Sequence, residues 1–239
     1  MRRALVTGGA SPIGAAISRL LAAQGFAVIV HAHGAPERAQ AVVAEIAAAG
    51  GRAEAVRFDL ADAPVAMAAA EALLEGGPVQ AIIHNAGTHD DVPMAGMSAE
   101  QWHSVVDVSL NGFFHVVRPL LLPMIGTRWG RIVAMSSVSA IMGNRGQANY
   151  AAAKAGLVGA VRALSLECAP RGVTVNAVAP GVIESPAVAA AMTREQVAKL
   201  VPARRAGRPE EVAELVAFLC SDRAAYITGQ CISINGGLA

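Results

Sequence analysis

Short apolar runs alternate with segments of helical period along the whole chain. Ala4–Val6 is a brief apolar run ended by a glycine-rich turn, and Ile13–Gln24 follows with Ile13, Ile17, Leu20 and Leu21 on one face. Gly25 closes that helix, Ala27–Val30 reads as a buried strand, and Pro36–Ala49 is helical up to Gly50-Gly51. The pattern repeats with a strand at Ala53–Phe58, a helix at Pro64–Leu74 and a strand at Val79–His84. A long helical region spans about Ala99 to Met124, followed by a strand at Arg131–Met135, a helix at Tyr150–Ala169 and a strand at Val173–Val178. Val188–Leu200 and Glu210–Cys220 are helical, and Gln230–Ile234 is a last strand before Gly236-Gly237.

Such repeated alternation predicts an α/β fold: parallel strands joined by right-handed crossovers. The strands are nearly continuous in apolar character, as expected where helices cover both faces of a sheet. No linker, low-complexity tract or repeat interrupts the chain, so residues 1–239 form one doubly wound Rossmann-type domain around a seven-stranded sheet. Sites in such sheets lie beyond the carboxyl ends of the strands.

Composition removes several classes of function. Hydrophobic residues make up 54% and charged residues 15% of the chain, the reverse of a disordered sequence. No uninterrupted apolar run approaches the roughly 18 residues of a membrane span, so no membrane partner is expected. The apolar run after Met1-Arg2-Arg3 ends at Thr7, too soon for a secretion signal. With a net charge of +1 and no basic block, no nucleic-acid footprint is present. Cys168, Cys220 and Cys231 are far apart and odd in number, which fits a reducing cytoplasm. His31 and His33 share one strand face, but no carboxylate or cysteine joins them nearby, so no metal site is expected.

The residues after each strand carry the chemistry. Thr7-Gly8-Gly9-Ala10-Ser11-Pro12-Ile13-Gly14 lets the backbone approach a pyrophosphate and presents it to a helix N-terminus. Ser11 is placed to cap that helix, and Pro12 suits its first position while removing one N–H. No acid follows the second strand before Glu37, so nothing there repels a 2′-phosphate, and His33 and Arg38 offer positive partners. These features favour NADP(H), with NAD(H) left open. Asp59-Leu60 after the third strand suits the adenine edge, and Asn85-Ala86-Gly87 after the fourth lets a cofactor pass close.

Lysine occurs only at Lys154 and Lys199; arginine supplies every other strong cation. Lys154 lies four residues after Tyr150, one of two tyrosines, so the two share a helix face. An ammonium beside a phenol lowers the phenol's ordinary pKa of about 10 and equips it as a general acid. Ser136-Ser137 ends the strand before this helix, and Pro180-Gly181 follows the sixth strand.

With Gly8, Asn85-Ala86-Gly87, Ser137, Tyr150, Lys154 and Pro180-Gly181 in this order, the chain resembles the short-chain dehydrogenase/reductases from Ala4 to Gly237. Met142–Gly156, Val173–Gly181 and the ending Ile227–Gly237 are most similar to the 3-oxoacyl-[acyl-carrier-protein] reductases. Gly143–Gln147 and Ser233–Gly237 resemble the branch serving aryl-polyene-type pigments.

The resemblance implies that Ser137 holds the substrate carbonyl, Tyr150 protonates it, and Lys154 holds the nicotinamide ribose. Ile183 would fix the carboxamide through its backbone, with Ser185 where relatives often carry Thr. Two positions depart from the family pattern. Pro12 replaces the middle glycine of the loop, and Ser11 stands where NADP-dependent relatives often carry Arg. Ser109 occupies the place of a catalytic Asn, with Asn111 two residues on. The implied substrate is carrier-protein-bound, with Arg128 and Arg171 as docking residues, Glu184–Arg205 as a lid and a homotetramer as the assembly. Reduction of another small carbonyl, or noncatalytic nucleotide sensing, stays open at this point.

Overall fold

The computed structural model describes residues 1–239. Seven parallel strands form one sheet in the order β3-β2-β1-β4-β5-β6-β7. They are β1 (Arg3–Thr7), β2 (Ala27–Ala32), β3 (Arg52–Arg57), β4 (Ala81–His84), β5 (Gly130–Met135), β6 (Val173–Pro180) and β7 (Cys231–Ile234).

Alternate residues of each central strand feed two separate cores. Ala4 and Val6 of β1 pack with α1 (Pro12–Ala23), α2 (Pro36–Ala48) and α10 (Pro209–Leu219). Leu5, between them, faces α3 (Ala63–Ala72), α5 (Gly112–Gly126) and α7 (Ala148–Cys168). This period of two under helices on both sides explains why the strands are apolar throughout. The edge strand β3 carries Arg52, Glu54 and Arg57 and is largely accessible.

The order reverses between β1 and β4, which stay paired to Thr7 and His84 while the segments after them lead to helices on opposite faces, leaving the crevice where ligands bind in such sheets. Ser11 caps α1 by accepting from the Gly14 amide at 3.1 Å, and Pro12 takes the first helical position, as expected.

Three elements differ from the sequence reading. The helical region before β5 is α4 (Ala99–Val106) and α5, joined by a π-helical turn at Asp107–Asn111. The stretch expected as one helix over Val188–Leu200 is α8 (Pro186–Ala191) and α9 (Arg194–Leu200), because Thr193 caps a new helix with Gln196. A short helix, α6 (Ser139–Met142), follows β5.

The stretch Ala99–Gly126 is also long and apolar enough on average to cross a membrane, although His103, His115 and Arg118 interrupt it. It is a layer of the fold, with Val105, Phe113, Val116, Leu120 and Met124 buried against the sheet and its neighbouring helices.

Candidate active site

The Gly8 loop is held from three sides. Its backbone takes φ +60° at Gly8, and a Cβ there would lie 2.9 Å from the Ala86 Cα. A Cβ on Gly14 would run into the Gly8 carbonyl. Asn85 reaches back through Nδ2 to Thr7 O at 3.1 Å, Gly8 O at 2.9 Å and Ser11 Oγ at 3.1 Å. The loop is therefore a rigid, side-chain-free cradle at a helix N-terminus, which fits a dinucleotide pyrophosphate.

His31 is the third brace, and its role was not legible in the sequence. It is buried, accepts from the Gly8 amide at Nδ1 over 3.2 Å and donates from Nε2 to Phe58 O at 2.9 Å. Burial holds its pKa down at about 4, so the ring is neutral. This is a supporting histidine, and no cluster of metal-ligating side chains exists anywhere in the chain.

A cleft of about 700 Å³ runs from this loop over His33, Gly34, Asp59, Leu60, Asn85 and Ala86. His33 is exposed, with Nε2 3.8 Å from Asp59 Oδ2. Arg38, in the first turn of α2, is exposed and does not line the cleft. Arg57, at the end of β3 and in register with Ala32, does not line it either but donates to the carbonyl of His33, which does, at 3.1 Å. That cation had no signal in the sequence beyond its place at a strand end.

A second cleft of about 710 Å³ adjoins the first, sharing Ile13, Asn85, Gly87, Thr88 and Ile183. Ser137, Tyr150, Lys154, Pro180 and Gly181 line it. The fold thus brings together the ends of β5 and β6 and the first turns of α7. Ile183 is fixed by a parallel bridge to Gly207, and Ser185 caps α8 through Val188 N at 3.1 Å.

The electrostatics depart from the simple pairing. Lys154 is buried, donates to Met135 O at 2.8 Å, and is lowered by that burial to about 8. Its Nζ lies 5.7 Å from the Tyr150 ring centre. Tyr150 is pushed up by burial, while Ser137 acts in the opposite sense. The expected acidification of the phenol by Lys154 is not realised in the chain by itself: burial raises the phenol, Asp91 adds to the rise, and Lys154 is not among the groups that move it.

Ser109 and Asn111 separate cleanly. Asn111 is exposed and donates to Asp107 Oδ1 at 2.7 Å, one turn back. Ser109 is fully buried, and its hydroxyl has no hydrogen-bond partner. A Cβ placed on Gly87 would lie 3.0 Å from Lys154 Nζ and 3.2 Å from Ser109 Oγ, so these groups converge behind Gly87. His84 and Asn149 are further supports that the sequence did not announce. Asn149 donates to Asp90 O at 3.1 Å and Gln101 O at 3.0 Å, and accepts from the Tyr150 amide at 2.8 Å.

Arg128 and Arg171 are not brought to this cleft. They precede β5 and β6, at the opposite end of the sheet from Ser137 and Tyr150.

A cradle for a pyrophosphate that continues into a pocket with facing hydroxyls is the layout of an oxidoreductase working with a nicotinamide dinucleotide. Comparison with known proteins narrows the class. A family model described as enoyl-(acyl carrier protein) reductase matches residues 8–239. The 3-oxoacyl-[acyl-carrier-protein] reductase FabG of Aggregatibacter actinomycetemcomitans is 41% identical over 236 residues, covering 98% of each chain. That of Staphylococcus aureus (strain Mu50 / ATCC 700699) is 40% identical over 240 residues, covering 99% of this chain and 98% of its own. The 3-oxoacyl-[acyl-carrier-protein] reductase of a Synechocystis strain is 41% identical over 237 residues, covering 98% and 96%. The chain belongs to the short-chain dehydrogenase/reductase family and is an oxidoreductase with a nicotinamide cofactor.

Proposed function

We propose that this protein reduces the 3-keto group of 3-oxoacyl-[acyl-carrier-protein] to the 3-hydroxy compound with NADPH, in the cytoplasm, for fatty-acid or related polyene or polyketide synthesis. The observation that carries this reading is the pair of hydroxyls, Ser137 and Tyr150, lining one pocket with the buried Lys154. Its relatives bear the name of the same reaction.

The residues supply the acid half of a reduction. Ser137 holds the carbonyl oxygen, and Tyr150 delivers its phenolic proton to that oxygen as charge develops there. Burial keeps the phenol protonated until the oxygen demands the proton. Lys154 spends one N–H on Met135 O and keeps the others for the cofactor ribose, with its charge near the tyrosinate left behind. The nicotinamide, when bound, supplies the hydride.

NADPH preference is supported by the missing carboxylate at the end of β2, by His33 in the cleft lining and by Arg57 bonded to the His33 carbonyl. Carrier docking on Arg128 and Arg171 requires a second copy, because they sit at the far end of their own sheet. The exposed Phe114 and Leu122 of α5 and Leu166 of α7 support a homotetramer built on those helices.

The test is NADPH oxidation followed at its near-ultraviolet absorbance with 3-oxoacyl-, enoyl- and unrelated carbonyl substrates. Turnover of the 3-oxoacyl-carrier substrate above the others is expected. Faster turnover of the enoyl thioester or of a simple ketone overturns the substrate, and no oxidation with any of them favours a nucleotide sensor.

A further inference from the structure

The substrate cleft has two unlike walls. Ala187, Val188, Ala191, Met192, Leu200 and Leu238 make one apolar. Thr88, His89, Asp91, Asn144 and Gln147 make the other polar. Tyr150 lines the same cleft.

A hydrogen-bond chain runs through the polar wall. The Ser139 amide donates to Ser137 Oγ at 3.1 Å, and Ser139 Oγ donates to Gln147 Oε1 at 2.9 Å. Gln147 Nε2 donates to Asp91 Oδ2 at 2.8 Å, and the other Asp91 oxygen lies 3.3 Å from His89 Nδ1. The chain ends on the His89 ring, which stands edge-on to the Tyr150 ring with centres 6.5 Å apart and planes at 81°.

This arrangement fixes what His89 can recognise. A carboxylate accepts only, so His89 turns an Nδ1–H toward Asp91. In that tautomer Nε2 offers a lone pair that has no partner within the fold, on a residue that lines the cleft, and it suits a donor. A 3-oxoacyl thioester offers carbonyls near the reacting carbon and no donor. Its first N–H is the amide of the pantetheine-type arm, two carbons beyond the sulfur. With the acyl chain on the apolar wall and the ketone at Tyr150, that arm leaves along the polar wall.

We propose that His89, oriented by Asp91, accepts a hydrogen bond from the thiol-proximal amide N–H of the substrate's carrier arm and so selects arm-bearing thioesters. The inference rests on the 3-oxoacyl reading above and deepens it.

The experiment compares a 3-oxoacyl N-acetylcysteamine thioester, which has the amide, with the matching S-ethyl thioester, which lacks it. In the wild type kcat/KM favours the amide-bearing substrate. His89→Ala lowers the ratio of the two values about tenfold, chiefly through KM, the size of one well-formed hydrogen bond. His89→Gln, which keeps an acceptor on that side of the cleft, restores part of the ratio. Equal losses on both substrates, or an unchanged ratio, overturn the inference while leaving 3-oxoacyl reduction standing. Wild-type inactivity on both thioesters removes the 3-oxoacyl reading, and this inference with it.

Discussion

His84 donates from Nε2 to the backbone carbonyl of Ser109 across 3.0 Å, and this bond ties the end of β4 to the π-helical turn behind the catalytic cleft. On its other side, Nδ1 faces Thr7 Oγ1 at 3.3 Å, and the same hydroxyl accepts from the amides of Asn85 and Ala86. One buried imidazole therefore links the cofactor loop to the residue beside Lys154.

Replacing that ring with an apolar one isolates its partners. His84→Leu leaves the Ser109 carbonyl and the Thr7 hydroxyl each short of a partner, at a cost of about 2–3 kcal/mol in urea unfolding. A fall in kcat larger than the change in cofactor affinity is expected alongside. Full stability and full turnover in this variant would show that the link carries nothing.

Two buried neutral histidines make stability depend on pH. His31 is lowered to about 4 and His84 to about 3, against an unfolded value near 6.5. The unfolded chain binds these protons first, so their contribution is full above about pH 6.5 and drains as pH falls toward 4. Each ring adds a slope of about 1.4 kcal/mol per pH unit within that window. Urea midpoints measured from pH 7.5 to 5 should fall accordingly, and His31→Gln should flatten the decline.

With Tyr150 as the proposed proton donor, Tyr150→Phe should lower kcat/KM by about 10²–10⁴ while nucleotide binding persists. For the wild type, kcat/KM for reduction should be flat through neutrality. It should then fall as pH rises past about 8, where Lys154 loses its charge, with the phenol titrating later because burial has raised it. A decline on the acid side alone would contradict this assignment.

Ser109 is buried near Lys154 whereas Asn111 is exposed, so the proposed site role falls to Ser109. Ser109→Asn is expected to retain or raise turnover, since its side chain reaches toward Lys154 behind Gly87. Asn111→Ala should change turnover by less than twofold, given that Asn111 bonds only Asp107 on an exposed face. Loss of activity in Asn111→Ala with an active Ser109→Ala would reverse the assignment.

Cofactor choice should follow the cation at the end of β3. Arg57→Glu places a carboxylate beside the His33 carbonyl, and the kcat/KM ratio of NADPH to NADH should drop at least tenfold. An Arg38→Glu control should shift the ratio less, because Arg57 is bonded to His33, which lines the cleft, and Arg38 makes no such bond.

The amino-acid sequence by itself determined the strand-helix alternation, the glycine cradle, and the spacing that puts Tyr150 and Lys154 on one helix face, because these depend on local period and backbone freedom. It also placed Ser11 as a cap, a property of neighbouring residues. Tertiary structure decided what depends on distant neighbours. It made His31 and His84 neutral braces, set Arg57 against the His33 carbonyl, and sent Arg128 and Arg171 to the far end of the sheet. It also raised the Tyr150 phenol rather than lowering it. Burial and partners assembled from separate strands control these properties, and neither is written in the spacing of residues along one element.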